Sequence, residues 1–543
     1  MKFRSLLVAN RGEIALRVMR TAKRMGLRTV AVYSDADRDA PHVRAADAAF
    51  HIGGSSPRES YLNISSVLKA EGEAVHPGYG FLSENPEFAQ AVLKAGRVWV
   101  GPPPAAIKAM GDKANAKAIA AKAGVPVLPT YEKNPEFPVV IKALAGGGGR
   151  GIRVVSSQDK FQEALKTAQS EAQHAFGDSR VLLEKALINP RHVEVQVFAD
   201  QHGNCIHLGE RDCSVQRRHQ KLVEESPSPA VGAKLRAEMG AAAIAAARAV
   251  GYVGAGTVEF LLGEDGRFWF MEMNTRLQVE HPVTEALTGL DLVEWQLRVA
   301  DGEPLPARQQ DVKFSGHAIE VRLCAEDPEQ DFLPQAGTLE LWKPSAAVRV
   351  EHALESGTTI SPFYDSMLAK FVAHAPSRNE ARAKLAAALD ESVALGIPTN
   401  KEFLAAVLRN ADFGAGKATT GFLSTFDFAA GQPDYAEWTG WSNNPAHVSR
   451  GSESFFKRHA RKDPRQIGDA SDGRLVAPMN GRVVAVNAAV GETVGAGKAL
   501  VVLEAMKMEH GLDLSFAARI KAVHVKAGAQ VAPGNLLVEF EPA

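Results

Sequence analysis

The sequence predicts a multidomain chain of α/β and α+β type that ends in a small all-β unit, and three observations carry that reading. Its 543 residues exceed what one compact core organises, so three or four domains are expected. The chain opens on a strand, turn, helix, strand pattern. Residues 473–543 hold a gap-free internal repeat whose copies alternate apolar and polar positions.

The opening elements follow from periodicity. Leu6-Leu7-Val8-Ala9 is an apolar run stopped by Asn10-Arg11-Gly12; Ile14, Val18, Ala22 and Met25 recur at helical spacing; Thr29 to Tyr33 is β-rich. The turn lacks Gly-x-Gly-x-x-Gly, which argues against a nicotinamide cofactor. The α/β pattern persists to about Met110. A formal net charge of −1 argues against nucleic acid or an anionic membrane as the main partner. Cys205, Cys213 and Cys324 are too few for a disulfide framework and suit no zinc site, so a reducing compartment is expected. With no signal peptide or transit segment visible and no apolar run long enough to cross a bilayer, the expected location is cytoplasmic.

Next comes Val139-Val140-Ile141-Lys142, an apolar strand ending in a cation, followed by Ala145-Gly146-Gly147-Gly148-Gly149-Arg150-Gly151. Consecutive glycines let backbone N–H groups approach a phosphate, and two cations add charge complementarity. A plain linker is the alternative; a Walker loop is excluded because no Gly-Lys-Ser/Thr follows. Arg211 to Lys221 is a cationic stretch ahead of Glu224-Glu225, either a substrate-binding segment or a solvated helix or loop. Gly256 to Leu262 and Arg267 to Met273 read as strands joined by Gly263-Glu264-Asp265-Gly266. That loop pairs Leu262 with Arg267 and Glu259 with Phe270, leaving Glu272 diagonal to Glu259 on one face and Asn274 continuing it. Two carboxylates and an amide there suit magnesium held with nucleotide phosphates. Asn274 to Glu285 is then dense in polar groups, with Glu280 a candidate general base and Arg276 a candidate anion clamp.

Strands and helices are expected up to about Gly421. From Ala429 to Asp472 Gly, Pro, Asn, Ser and basic residues displace periodic apolar positions, predicting a linker or docking segment in which Trp438, Trp441, Phe455 and Phe456 pack on something. In the repeat, Gly481 to Val494 realigns with Ala518 to Val531, an offset of 37 residues, and Gly497, Leu500 and Glu504 fall on Gly534, Leu537 and Glu541. Two such units back to back predict a quasi-twofold β sandwich with Ala505-Met506-Lys507-Met508 at a hairpin tip, Lys507 exposed and far from any core. An exposed lysine is ordinarily a solvated charge, but flanking methionines have nothing to bury against at a free tip.

These residues carry a resemblance. Glu504 to Met508, with Ala477-Pro478-Met479 upstream, resembles the biotin carboxyl carrier domain, whose lipoyl relatives lack methionine beside their lysine. Ala9 to Ala15, His76 to Asn85, Glu210 to Ser214, Arg217 to Lys221, Glu272 to Arg276 and Gln278 to Glu285 resemble biotin carboxylase. Together they resemble the biotin-containing α subunit of an acyl-CoA carboxylase of methylcrotonyl-, geranyl- or propionyl-CoA type. Gly101 to Pro104 and Tyr364 to Lys370 lean toward the methylcrotonyl and geranyl members.

The resemblance implies an ATP-grasp fold: an N-terminal α/β domain (1–112), an ATP-grasp domain (113–312) with a Gly-rich lid at about 128–186, a C-terminal domain (313–425), a reduced docking segment (426–472) and a biotinyl/lipoyl-like carrier (473–543). It implies covalent biotin on Lys507, and ATP bound by Lys113, Lys142, Gly146, Gly147, Gly148, Gly149, Glu184, His192, Gln216 and His219. Magnesium, or manganese, would sit on Glu259, Glu272 and Asn274. Bicarbonate would sit on Lys221, Arg276, Gln278, Val279 and Glu280, and biotin at Tyr79 and Arg349. The catalytic set is then Glu280, Arg276, Lys221 and Arg349. Glu280 would deprotonate bicarbonate as it attacks the γ-phosphate, with Arg349 stabilising the biotin oxygen.

A separate carboxyltransferase β subunit and a biotin protein ligase are the implied partners, in an oligomer. Relative to the family, Val127 to Pro138 and Leu68 to Val75 are shortened near hinges, and 426–472 is shorter than the usual docking domain. The rivals are another ATP-grasp ligase, which would need no biotinyl unit, and a scaffold with a decayed ATP site, against which Glu259, Glu272, Arg276 and Glu280 stand.

Overall fold

The computed structural model describes residues 1–132, 134–144, 152–176, 178–217, 220–428, 447–450, 453–456, 473–479, 481–506, 508–532 and 534–542. The first strands are β1 (Ser5–Val8), β2 (Arg28–Ser34), β3 (Ala48–Gly53), β4 (Ala74–His76) and β5 (Val98–Trp99), in the parallel order β3-β2-β1-β4-β5. Leu6, Leu7, Val8, Val30 and Val32 are buried from both faces, as a parallel sheet clad in helices requires. Helix α1 (Gly12–Arg24) starts directly after β1, and Gly12 at φ 65° makes the bend. Asn10 secures it by donating to the carbonyls of Pro77 and Tyr79 at 2.7 and 2.8 Å.

A smaller sheet follows, β6 (Thr130–Tyr131), β7 (Val139–Ala143), β8 (Ile152–Val155) and β9 (Val181–Lys185), in the order β6-β9-β7-β8. Its core is Val139, Ile141, Val155, Phe161, Ala168 and Leu183. The glycines expected to cradle phosphate, Gly146 to Gly149, lie outside the described residues.

The structural centre is an eight-stranded antiparallel sheet. Its strands are β10 (Arg191–Ala199), β11 (Cys205–Arg217), β12 (Gln220–Ser226), β13 (Gly254–Leu262), β14 (Phe268–Asn274), β15 (His317–Cys324), β16 (Arg349–His352) and β17 (Met367–Ala375). Their order is β14-β13-β10-β11-β12-β15-β17-β16, so one sheet runs from the expected nucleotide region into the C-terminal region. In β10 the residues alternate: Val193, Val195 and Val197 enter an apolar core shared with helix Ala233–Ala249, while His192, Glu194 and Gln196 face the other way. The alternatives left open for Arg211 to Lys221 resolve as neither helix nor surface loop. Arg211 to Arg217 lies on the central strand β11, every described side chain buried, and β12 begins at Gln220.

The hairpin register differs from the sequence expectation. Leu262 pairs with Phe268 and Phe260 with Phe270, and a bulge at Met271 then sets Glu259 directly opposite Glu272 rather than diagonal to it. The turn is one residue longer than expected, closed by Gly263 N–H donating to the Arg267 carbonyl at 2.9 Å, and the bulge adds the compensating residue.

Helices Arg378–Glu391 and Lys401–Arg409 cover the C-terminal end of this sheet over a core that includes Ile319, Val321, Phe371, Leu385 and Leu404. Within 426–472, His447–Arg450 and Glu453–Phe456 form a short antiparallel hairpin; Trp438 and Trp441 lie outside the described residues. The carrier is two four-stranded sheets. Arg474–Val476, Leu536–Pro542, Ala518–Val523 and Thr493–Val494 make one; Met508–Leu512, Val501–Ala505, Gly481–Val486 and Gln530–Val531 make the other. The 37-residue offset maps one strand order onto the other, so the repeat is a structural two-fold. Ala505 pairs with Met508 where the strands Val501–Ala505 and Met508–Leu512 meet. Lys507 lies outside the described residues. Its neighbour Met506 is 6% exposed within the apolar cluster of the C-terminal region, so at Met506 the expectation of a tip far from any core is corrected. No helix among the described residues is long and apolar enough to cross a membrane, and the three cysteines are free and buried.

Candidate active site

Register builds the site. Glu272 stands opposite Glu259, Glu259 opposite Glu194, and Glu194 opposite Arg211, so four charged side chains cross one face of β14, β13, β10 and β11. Directly paired residues share a face, and here it is buried: Glu194 and Arg211 are 0% exposed. Arg211 meets the cost of its burial with four partners, donating to Glu194 at 2.5 Å, Gln196 at 2.9 Å, Thr284 at 2.8 Å and Thr257 at 3.2 Å.

Lys221 is the hub. Its ammonium is paired with Glu194 and donates to Glu259 at 2.8 Å and Glu280 at 2.7 Å. Glu259 also meets His192 Nε2 at 2.8 Å and accepts from Asn274 at 2.7 Å and Gln278 at 3.2 Å. Burial would raise the Glu259 carboxyl, but Lys221 and His192 hold it well below the usual range. For Glu272 the balance reverses: burial and the facing Glu259 push it up, against the charge of Lys113. A pair of opposed carboxylates, one of them short of positive charge, is a donor set that fits a divalent cation. Asn274 now turns its nitrogen to Glu259 and its oxygen to Arg276, at 3.3 Å, so ligation by that amide would need its oxygen turned back.

Glu280 directly precedes helix His281–Thr288, makes no capping hydrogen bond to it, and is 0% exposed. Its second oxygen accepts from Arg322 at 3.0 Å. Burial raises this carboxyl, yet Lys221, Arg322 and Arg211 together keep it well below the usual range. Arg276 donates to Gln278 at 2.8 Å and to Glu84 at 2.9 Å, placing a guanidinium beside the same turn. The Val279 carbonyl accepts from Lys370 at 2.8 Å, and Lys370 lies 3.1 Å from Glu13 of α1.

On the smaller sheet, Glu184 bridges Lys142 and Lys117, both ion-paired to it. Gln216 approaches His192 Nδ1 at 3.3 Å, and His192 in turn meets Glu259 on the carboxylate face. Arg349 pairs with Glu285 at 2.8 Å and Glu351 at 2.7 Å. Tyr79 has a buried hydroxyl without a hydrogen-bond partner among the described residues, and its ring lies 5.6 Å from the Lys370 ammonium. His219 lies outside the described residues.

The structure therefore joins Lys221, Glu259, Asn274, Arg276, Gln278, Glu280 and His192 in one hydrogen-bonded network and sets Glu272 opposite Glu259. Among the described residues Arg349 makes no hydrogen bond to this network; it pairs with Glu285, on the helix His281–Thr288 that follows Glu280, and with Glu351. Sequence reasoning gave no role to Glu194, Arg322 and Lys117; it reached Arg211 and Glu224 only as parts of the charged stretch that runs to Glu225, and Lys370 only through the resemblance over Tyr364 to Lys370. For Glu194 and Arg322 the signal is a charge alternating with apolar residues along a strand.

Opposed carboxylates on an antiparallel sheet, beside a smaller sheet bearing Lys142 and Glu184, define the ATP-grasp class of enzyme, here joined to a biotinyl-type β sandwich. Family models match in chain order: "Biotin carboxylase, N-terminal domain" at 2–107, "Carbamoyl-phosphate synthase L chain, ATP binding domain" at 112–308, "Biotin carboxylase C-terminal domain" at 320–425 and "Biotin-requiring enzyme" at 473–540. The chain is 38% identical to the mitochondrial methylcrotonoyl-CoA carboxylase subunit alpha of Rattus norvegicus, over 99% of this chain and 93% of that one. It is 51% identical to the Dictyostelium discoideum protein of that name over 77% of this chain, a match that spans only 63% of the relative's length. The biotin carboxylase domain of Hydrogenobacter thermophilus 2-oxoglutarate carboxylase, solved with MgADP, ADP and bicarbonate, superposes with a TM-score of 0.76 at 44% identity, over 79% of this chain and 99% of that domain. The chain belongs to the biotin carboxylase family, in the form that carries its biotinyl domain on the same polypeptide.

Proposed function

We propose that this chain uses ATP and bicarbonate to carboxylate biotin carried on Lys507, and supplies the carboxyl group to a separate carboxyltransferase subunit that carboxylates an acyl-CoA. The observation that carries this is Glu280: a fully buried carboxylate held between Lys221 and Arg322, beside Arg276 and Gln278 and across from the Glu259–Glu272 pair. Arg276 and Gln278 hold bicarbonate, and Glu280 takes its proton as its oxygen attacks the γ-phosphate of ATP, the bond to the bridging oxygen breaking so that ADP leaves. A carboxylate with two cations on its oxygens is a weak base. Glu280 is therefore armed only when Lys221 is shared with the incoming anions. Lys113, Lys142, Glu184, His192 and Gln216, with Gly146 to Gly149 and His219, hold the nucleotide.

Glu259, Glu272 and Asn274 would hold magnesium or manganese, which supplies charge neutralisation at the transferring phosphoryl group. Biotin supplies the acceptor nitrogen, with Tyr79 and Arg349 orienting its ring. The methylcrotonoyl-CoA carboxylase names of the similar proteins, and a match over nearly the whole length of one of them, support methylcrotonoyl-CoA as the acyl acceptor. A β carboxyltransferase, a biotin protein ligase and a cytoplasmic location complete the reading.

The test is bicarbonate- and biotin-dependent ATP hydrolysis by the full chain. Glu280→Gln abolishes it, and Lys507→Arg abolishes streptavidin-detectable biotinylation while hydrolysis with free biotin persists. Normal turnover in Glu280→Gln overturns the assignment. The chain purified with its native partner should fix labelled bicarbonate onto methylcrotonoyl-CoA in preference to other acyl-CoAs, and a different preferred acceptor would overturn the acceptor reading alone.

A further inference from the structure

The segment Tyr364 to Lys370 leads into β17 in the C-terminal region, yet its first residue belongs to another core. Tyr364 is 3% exposed among the apolar residues of the N-terminal sheet, with Val32, Tyr61 and Leu82. Its hydroxyl donates to the Ser55 carbonyl at 3.0 Å and is hydrogen-bonded to Ser34. The Arg11 guanidinium lies 3.9 Å from the centre of its ring and is itself locked to Asp37 by two hydrogen bonds of 2.6 Å. So anchored, the ring meets Phe81 edge to face, with centroids 6.3 Å apart and planes at 82°. Tyr61, 5.0 Å from Phe81 and 5.8 Å from Tyr364, completes the aromatic cluster.

Phe81 is where the turn from Pro77 to Glu84 needs support. Its φ is 43°, in the left-handed region that a bulky aromatic rarely adopts and that persists only where surrounding contacts enforce it. Tyr79, two residues earlier, is held on one side by Asn10, which donates to its carbonyl at 2.8 Å. On the other side its ring lies 5.6 Å from the ammonium of Lys370, the last residue of the same segment. One stretch of the C-terminal region therefore touches this turn twice, at Phe81 and at Tyr79. We propose that Tyr364 is a positioning residue for biotin: anchored by Ser34, Ser55 and Arg11, it braces Phe81 in its left-handed conformation and thereby keeps Tyr79 in place for the acceptor ring. This rests on the function proposed above, in which Tyr79 orients that ring. Only Gly80 separates Tyr79 from Phe81, so a turn that relaxes at Phe81 carries the Tyr79 ring with it. Lys142 and Glu184, proposed to hold the nucleotide, stand on the separate sheet β6-β9-β7-β8, so that movement leaves them in place.

The experiment measures bicarbonate-dependent ATP hydrolysis by the full chain with free biotin as the varied substrate, in wild type, Tyr364→Leu, Tyr364→Phe and Phe81→Leu. Tyr364→Leu and Phe81→Leu should each raise KM for biotin by about fivefold or more, while KM for ATP stays within about twofold. Tyr364→Phe keeps the bracing ring and should stay within about twofold of wild type for both. Phe81 is only half-buried, so Phe81→Leu decides the matter where Tyr364→Leu does not fold. A biotin KM close to wild type in Phe81→Leu, and in Tyr364→Leu where it folds, overturns the positioning role and leaves the proposed function standing. An equal rise in KM for ATP overturns it as well, by marking a general loosening of the fold. Wild-type hydrolysis that does not respond to biotin instead overturns the function on which the inference rests.

Discussion

Replacing Glu224 by glutamine should flatten the pH dependence of stability near neutrality. Glu224 is 0% exposed, and its carboxyl stands at about 7 rather than an ordinary 4.5. Burial is the largest cause; Arg322 and Lys221 oppose it, and the nearby Glu280 adds to it. Between pH 4.5 and 7 the folded chain therefore keeps a proton that the unfolded chain has released. The stabilisation is fully present below about 4.5 and is lost as pH rises through 7. At about 1.4 kcal/mol per pH unit the loss across that window is about 3 kcal/mol. Glutamine mimics the protonated form, keeps an oxygen for Arg322 Nε and cannot ionise. Thermal melting at a series of pH values from 5 to 8.5 should show the wild-type carboxylase transition falling relative to that of Glu224→Gln by an amount equivalent to about 3 kcal/mol. The raised carboxyls of Glu13 and Glu320 act in the same direction, but cancel in the difference between the two proteins. Parallel curves for wild type and variant would refute the reasoning.

Other perturbations follow from packing. Arg211→Met removes four hydrogen bonds and leaves Glu194 buried without its guanidinium; a loss of about 3–5 kcal/mol is expected, read as a lowered carboxylase transition in calorimetry. Gly396 has φ 111°, and an added Cβ would lie 2.2 Å from the Thr338 carbonyl oxygen, so Gly396→Ala should cost about 1–3 kcal/mol or more and lower soluble yield. Leu503 is 0% exposed in the carrier core, and Leu503→Ala should cost about 2–5 kcal/mol, moving the carrier's transition while the carboxylase transition stays in place.

Much of this was legible in the sequence because the periodicities are local. The β1–α1–β2 unit, the 37-residue offset and the hairpin bearing Glu259 and Glu272 each follow from spacing within a few dozen residues. The exact opposition of those carboxylates did not follow, since a bulge at Met271 leaves no compositional mark and shifts every pairing beyond it. Arg211 to Arg217 misled for a different reason: a run this charged reads as solvated, and its burial depends on the carboxylates of Glu194 in β10 and Glu326, which only the folded chain brings to Arg211 and Arg217. The roles of Arg322 and Lys370 were invisible on the same ground, each lying in an otherwise apolar strand whose partner is distant in sequence.

The buried carboxylates sort by what touches them. Of the three carboxylates on the Lys221 ammonium, Glu259 and Glu280 are held low while burial still pushes Glu194 up; Glu272 at one end of the network and Glu224 and Glu320 at the other are pushed up as well. Negative charge thus exceeds positive at both ends, and in the middle the cations are shared unequally among the carboxylates. The Glu272 end suits a divalent cation, and the Glu224 end holds protons. Between them, Lys221 and Arg322 hold Glu280, which must stay ionised to serve as the proposed base. The cations come from different strands, β12 and β15, and the adjoining Val279 carbonyl is tied through Lys370 of β17 to Glu13 of α1. A turn built from residues 278–280 is thus positioned by side chains at 13, 221, 322 and 370. That is why one continuous sheet has to run through both the nucleotide region and the C-terminal region: a hinge between β12 and β15 would let the two cations on Glu280 drift apart.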